Sequence, residues 1–196
     1  MSVVFLCVGA AKAGTTWLHR QLSEHPECHF RTIKELHYFD AVDAGRLEKQ
    51  LDHHRAMQAE MKSRLSGWGR RPNHVQAARL QDRADWIGVL ASGRENTEGY
   101  LNYLNTGAGQ ARVVGEMTPA YALLSEARLA KMAQIASDVR ILFLMRDPVE
   151  RLWSHVRMMA GRRDPQGKVN RGRTGAHLKA HASRRRNADR QALRLC

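Results

Sequence analysis

The sequence predicts an α/β fold, a central parallel sheet flanked by helices in three layers, and three observations carry that expectation. Short apolar runs alternate with helical patterns through residues 1–160. Two of those runs, Val3 to Val8 and Val139 to Met145, are apolar enough to be strands buried on both faces, the habit of parallel sheets. Each also leads straight into a helix start. At 196 residues and 43% hydrophobic, the chain is sized for one domain with one modest core.

Taken in order, the first strand runs from Val3 to Val8, and Thr15 or Thr16 then caps a helix carrying Leu18 and Leu22 on one face; Pro26 ends it. A longer helical pattern sets Leu47, Leu51, Met57, Met61 and Leu65 on roughly one face. Ser66-Gly67-Trp68-Gly69 breaks it, and residues 66–80 read as loop. A third strand is expected at Arg112-Val113-Val114. The strand from Val139 gives way to a helix opened by Asp147, Pro148 and Glu150, a capping-box-like start with proline at the first helical position.

Thirty-two Lys and Arg against nineteen Asp and Glu give a net charge of +13, which points to an anionic partner without choosing among nucleotide, sulfated or phosphorylated substrate, nucleic acid and membrane surface. The excess is concentrated beyond Gly161, where residues 161–196 carry 11 basic and 2 acidic residues but hardly any apolar ones. Such a tail is expected to be disordered, because it buries too little to offset its ordering entropy. Three scattered cysteines, Cys7, Cys28 and Cys196, exclude a disulfide framework or structural zinc pattern and suggest a reducing, cytoplasmic setting. No run approaches the length of a membrane span, so no anchor is expected, and the first apolar run lacks the basic flank of a signal sequence. His53 and His54 stand on a helix with no carboxylate or Cys at ligand spacing, so they read as solvated, and no metal site is expected.

Chemistry enters at Gly9-Ala10-Ala11-Lys12-Ala13-Gly14-Thr15-Thr16, between a strand and a helix, where backbone N–H groups and a helix N-terminus converge on an anion. A nucleotide triphosphatase would place its lysine where Thr15 stands, which disfavours a standard ATP or GTP site. A glycine-rich turn with a solvated lysine is the plain alternative. The segment Ala11 to Leu18 resembles the 5′-phosphosulfate loop of sulfotransferases that use PAPS (3′-phosphoadenosine 5′-phosphosulfate), whose pattern is Pro-Lys-Ser-Gly-Thr-Thr-Trp-Leu. Ala11 and Ala13 depart from it.

Three further segments follow in that family's order. Lys34-Glu35-Leu36-His37-Tyr38-Phe39-Asp40 resembles the Lys-Glu-x-His-Phe-Phe segment of the polysaccharide-modifying members. Val114 to Tyr121 resembles Gly-Glu-x-Thr/Ser-Pro-x-Tyr, with Met117 replacing a lysine common there. Leu144 to His155 resembles the 3′-phosphate motif, Arg-Asp-Pro followed by a helical Arg and Ser.

The resemblance implies a P-loop-like fold over residues 3–160 and in-line transfer of a sulfuryl group from PAPS to a hydroxyl or amine. It implies cofactor-binding roles for Lys12, Ala13, Gly14, Thr15, Thr16, Trp17, Arg146 and Ser154, with Lys12 also stabilising charge in the transfer. Glu35 is implied as general base, a role suited to a carboxylate of raised pKa. His37 would orient Glu35, contact the acceptor or relay its proton, or be a hydrogen-bonded structural residue. Trp17 would stack on adenine or pack into the core. The acceptor would be a small molecule or carbohydrate, and nucleic acid would be met only through the basic tail. A P-loop kinase and a non-catalytic anion- or nucleic-acid-binding remnant are the alternatives. Family members continue past the 3′-phosphate helix with core helices and a basic closing loop; residues 161–196 show no equivalent, so the domain at 1–160 is expected to be incomplete.

Overall fold

The computed structural model describes residues 2–66 and 72–162. The chain divides into two compact units, residues 1–10 with 14–145, and residues 11–13 with 146–196.

The first unit holds a four-stranded sheet: β1 (Val3–Gly9), β2 (Cys28–Phe30), β3 (Val113–Met117) and β4 (Val139–Phe143), in the order β2-β3-β1-β4. All three pairings are parallel, with Phe5 opposite Gly115 and Leu6 opposite Ile141. Its helices are α1 (Thr15–Ser23), α2 (Tyr38–Asp43), α3 (Leu47–Ser66), α4 (His74–Leu90), α5 (Thr97–Asn105) and α6 (Glu126–Met132), with a 3₁₀ turn at Pro119–Leu123. Because the strands are parallel, their carboxyl ends lie at one edge of the sheet, the edge at which open α/β folds hold ligands. The first motif begins at the last residue of β1, the fourth begins directly after β4, the third runs through β3 into the turn that follows it, and the second begins shortly after β2. The second unit contains α7 (Pro148–Arg162).

The core is sequence-economical: only 6% of the chain is aromatic, yet half of those residues meet in one cluster. Tyr38 stacks on Tyr100 at 5.0 Å between ring centroids, and Phe39, Trp86, Tyr103 and Tyr121 meet their neighbours edge-on or tilted. Such geometries add about 0.5–1.5 kcal/mol per pair beyond burial. Leu6, Val114, Leu36 and Leu90 complete the interior.

Two buried carboxylates then anchor residues 31–38 to this core. Asp82 accepts from the Thr32 amide (2.7 Å), the Ile33 amide (3.1 Å), Tyr103 Oη (2.6 Å) and Arg31 Nε (2.8 Å), and from the Thr32 hydroxyl. Burial pushes its carboxyl up, but Thr32, Tyr103 and Arg31 outweigh burial and hold it low. Glu116, 3% exposed at the end of β3, accepts from Tyr100 Oη (2.7 Å), Tyr121 Oη (2.8 Å), Thr118 Oγ1 (2.6 Å) and the Leu36 amide (3.2 Å). Here burial dominates its donors and the carboxyl is raised.

Several expectations are corrected. Residues 74–80 are helix rather than loop: Asn73 and Gln76 form a reciprocal capping box that starts α4, and its first turns are exposed, leaving no apolar rhythm to read. The N-cap of α1 is Gly14 rather than a threonine, and no side chain caps it. The strand near Val139 is not buried on both faces: β4 lies at the sheet edge, and Arg140, Ile141 and Phe143 are exposed. His53 is exposed, but His54 is buried, accepts a hydrogen bond from Arg83 Nη1 at 2.7 Å, and is pushed down to about 4 by burial and the Arg83 charge. The glycine break at 67–69 and the basic tail beyond residue 162 lie outside the described residues.

Gly115 is fixed by backbone approach, since a Cβ there would meet the Phe5 carbonyl oxygen at 1.9 Å. Gly115→Ala is expected to destabilise the protein by about 1–3 kcal/mol or more, the range for overpacking a rigid contact. Thermal or urea unfolding of the variant measures this, and unchanged stability would contradict the close approach.

Candidate functional site

After β1 the chain reaches Gly14, whose φ of 109° is left-handed and open to glycine at little cost. With no side-chain cap and no acidic residue in its first turn, α1 presents N-terminal amides and the positive end of its dipole to an anion. Thr15 is buried at the first turn and Thr16 is exposed. Trp17 is 67% exposed, so it does not pack into the core.

Residues 34–40 carry the densest charge. Lys34 Nζ donates to Glu35 Oε1 at 2.6 Å; His37 Nδ1 lies 2.9 Å from Asp40 Oδ2, and its Nε2 lies 3.7 Å from Glu35 Oε2. His37 is the N-cap of α2 and holds φ 52°, a left-handed value that costs a non-glycine residue energy and that clusters at functional sites. Asp40 first and Glu35 second raise the His37 imidazole to about 10. In return, His37 holds Glu35 down to about 2, against burial and with help from Lys34. A base of raised pKa is therefore not what Glu35 is here; it is a carboxylate held ionised by two cationic neighbours. Asp40 Oδ1 is buried with no hydrogen-bond partner among the described residues.

The second unit holds Lys12, Ala13, Arg146 and Ser154. Lys12 also has a left-handed backbone, φ 69°, and its ammonium lies 3.7 Å from Met158 Sδ. No carboxylate pairs with it among the described residues, which leaves its charge available. The Arg146 guanidinium donates to the Lys12 carbonyl at 3.4 Å and, through Nε and Nη2, to Glu150 Oε2 at 3.1 and 2.9 Å. Asp147 Oδ1 accepts from the Glu150 amide at 2.9 Å, which makes half of the expected capping box. The Glu150 side chain is committed to Arg146 instead. Ser154 is half-buried on α7.

Within the second unit a lysine and an arginine lie together, and within the first an uncapped helix start follows a strand; each is a feature suited to an oxyanion. A family model described as the sulfotransferase family matches residues 5–195. The chain belongs to the sulfotransferase family. Searches of curated proteins and of solved structures find no match to it.

Membership supports sulfuryl transfer in general over the phosphoryl transfer of the kinase alternative. Its α/β fold with an all-parallel sheet agrees with the expected P-loop-like architecture. Among the described residues no group of three His, Cys, Asp or Glu could hold a metal ion, and no helix is long and apolar enough to cross a membrane.

Sequence reasoning gave no role to Asp40, Asp82 or Tyr100, and none to Glu116 beyond its motif. The spacing His37-x-x-Asp40, one helical turn, is a signal from which Asp40 could have been found.

The raised His37 value fixes a sign. An imidazolium favoured by folding adds stability that is whole below 6.5, its ordinary value, and gone once pH rises past about 10. Urea unfolding from neutral pH to beyond 10 is expected to show a decline that is smaller in His37→Gln. An equal decline in both proteins would remove the Asp40 and Glu35 contacts as its cause.

Proposed function

We propose that this sulfotransferase draws its sulfuryl group from PAPS and passes it in line to a hydroxyl or amine of a small-molecule or carbohydrate acceptor, in a reducing cytoplasmic setting. The observation that carries the reading is the phosphosulfate-type loop: Lys12 without a carboxylate partner among the described residues, followed by the uncapped start of α1. PAPS, when bound, supplies the sulfuryl group.

The chain's own residues divide the remaining work. Lys12 and the amides from Ala13 to Thr16 hold negative charge on the phosphosulfate end, an electrostatic task for preorganised donors. Arg146 and Ser154 read the 3′-phosphate, with Arg146 exchanging Glu150 for the stronger phosphate partner. Trp17, exposed on the first turn of α1, offers a face for adenine.

Glu35 accepts the acceptor's proton. Its low value in the free protein reflects the His37 and Lys34 contacts; an acceptor hydroxyl that displaces Lys34 and covers the half-exposed carboxylate removes water and a counter-charge, and both changes raise its basicity. His37 keeps the carboxylate oriented. Residues 161–196, with 11 basic and 2 acidic residues, serve anionic partners in this proposal.

Calorimetric titration with PAP, the desulfated product, in EDTA tests the donor site directly. Binding is expected without divalent metal; binding only after added magnesium would overturn the reading. Arg146→Ala is expected to weaken PAP by about 1.5–3 kcal/mol, the range for hydrogen bonds to charged groups, and adenylyl sulfate little. Equal losses for both ligands would take Arg146 away from the 3′-phosphate.

Glu35→Gln keeps the side-chain shape but cannot accept a proton. Transfer from PAPS is expected to fall by about 10²–10⁴ while PAP affinity stays intact. Undiminished transfer would place the base elsewhere.

A further inference from the structure

Residues 36–38 bring three successive backbone amides to one spot, and all three are taken by side chains from the end of β3 and the turn after it. Leu36 N donates to Thr118 Oγ1 (3.0 Å) and Glu116 Oε2 (3.2 Å), His37 N to Thr118 Oγ1 (3.4 Å), and Tyr38 N to Tyr121 Oη (2.9 Å). Met117 N closes the other side on the Lys34 carbonyl at 3.4 Å.

Hydroxyls can donate or accept, and what decides here is the backbone amides, which can only donate. Thr118 and Tyr121 therefore accept from the loop and direct their own O–H groups at the Glu116 carboxyl, at 2.6 and 2.8 Å. Tyr100 fills the remaining carboxylate position at 2.7 Å. Thr118, Tyr100 and Tyr121 are fully buried, so no water competes for these bonds.

The clasp brackets the one left-handed residue of the segment. His37 holds φ 52° between clasped Leu36 and Tyr38, and that kink sends its ring toward Glu35 on one side and Asp40 on the other. We propose that Glu116, Thr118 and Tyr121 are positioning residues whose hydroxyl-relayed clasp on amides 36–38 sets the Glu35–His37 geometry on which transfer depends. The catalytic part of this statement rests on the assignment of Glu35 and His37 above. The clasp itself does not.

The test follows the His37 ring by long-range ¹⁵N–¹H NMR in the full chain without ligand, its signal assigned by loss in His37→Gln. Thr118→Val removes the hydroxyl at similar volume, and Thr118→Ser restores it. Tyr121→Phe keeps the ring in the core and serves as a second arm if Thr118→Val does not fold. In the wild type the ring is expected to titrate near 10. In folded Thr118→Val or Tyr121→Phe the midpoint is expected to move toward the ordinary imidazole value, with PAP affinity unchanged, and Thr118→Ser to return it. A wild-type midpoint kept by folded Thr118→Val and Tyr121→Phe would overturn the proposal. Because the measurement needs neither donor nor acceptor, its failure is separate from any failure of the Glu35 assignment.

Discussion

A buried carboxylate is costly unless every lone pair is answered, and Glu116 is answered by two phenols, one hydroxyl and one amide. The arrangement ties β3, α5, the 3₁₀ turn and the approach to α2 to one carboxyl. Tyr38, Phe39, Tyr100 and Tyr121 supply both the aromatic packing and much of the polar satisfaction, so the core and the site are built from the same side chains. A rigid aromatic floor below residues 36–38 and a fixed backbone above it are two descriptions of one structure.

Asp82 does the equivalent work one turn of chain earlier. By gathering Arg31, Thr32 and Ile33 it fixes the chain on one side of Lys34 and Glu35 as Glu116 does on the other, with Tyr103 bridging the node to Trp86. A third cluster, Arg128 with Asp43 and Glu95, pins the far end of α2 to α6. Half-exposed Glu35 is thus surrounded by anchored backbone, and its charge state is set by Lys34 and His37 rather than by depth. Preorganisation of this kind removes the reorganisation that solvent would otherwise demand.

The strands at Val3 and Val139, the helices from Thr15, Leu47 and Pro148, and the four motifs were legible because local periodicity and residue type specify them. The start of α4 was not, since its exposed first turns have no apolar stripe; the Asn73 and Gln76 pair was the available signal. An apolar run also reads alike in a central and an edge strand, which is why β4 was misjudged. His54 defeated the reading because burial there comes from α4, specifically Arg83 and Trp86, some thirty residues away. The motif Glu116-x-Thr118-x-x-Tyr121 was visible as a pattern, but its grip on amides eighty residues earlier is a product of the β2-β3 pairing and cannot be spelled locally.

The pairing of Arg146 with Glu150 has one further consequence. With no incoming anion, the guanidinium already has a carboxylate at 2.9 Å from its own helix. An anion that takes this seat must outbid a tethered monoanion held one helical turn away. An exposed pair one helical turn apart is worth only a few tenths of a kcal/mol, so the exchange costs little. Glu150 therefore holds the arginine in place along its own helix without competing strongly for it.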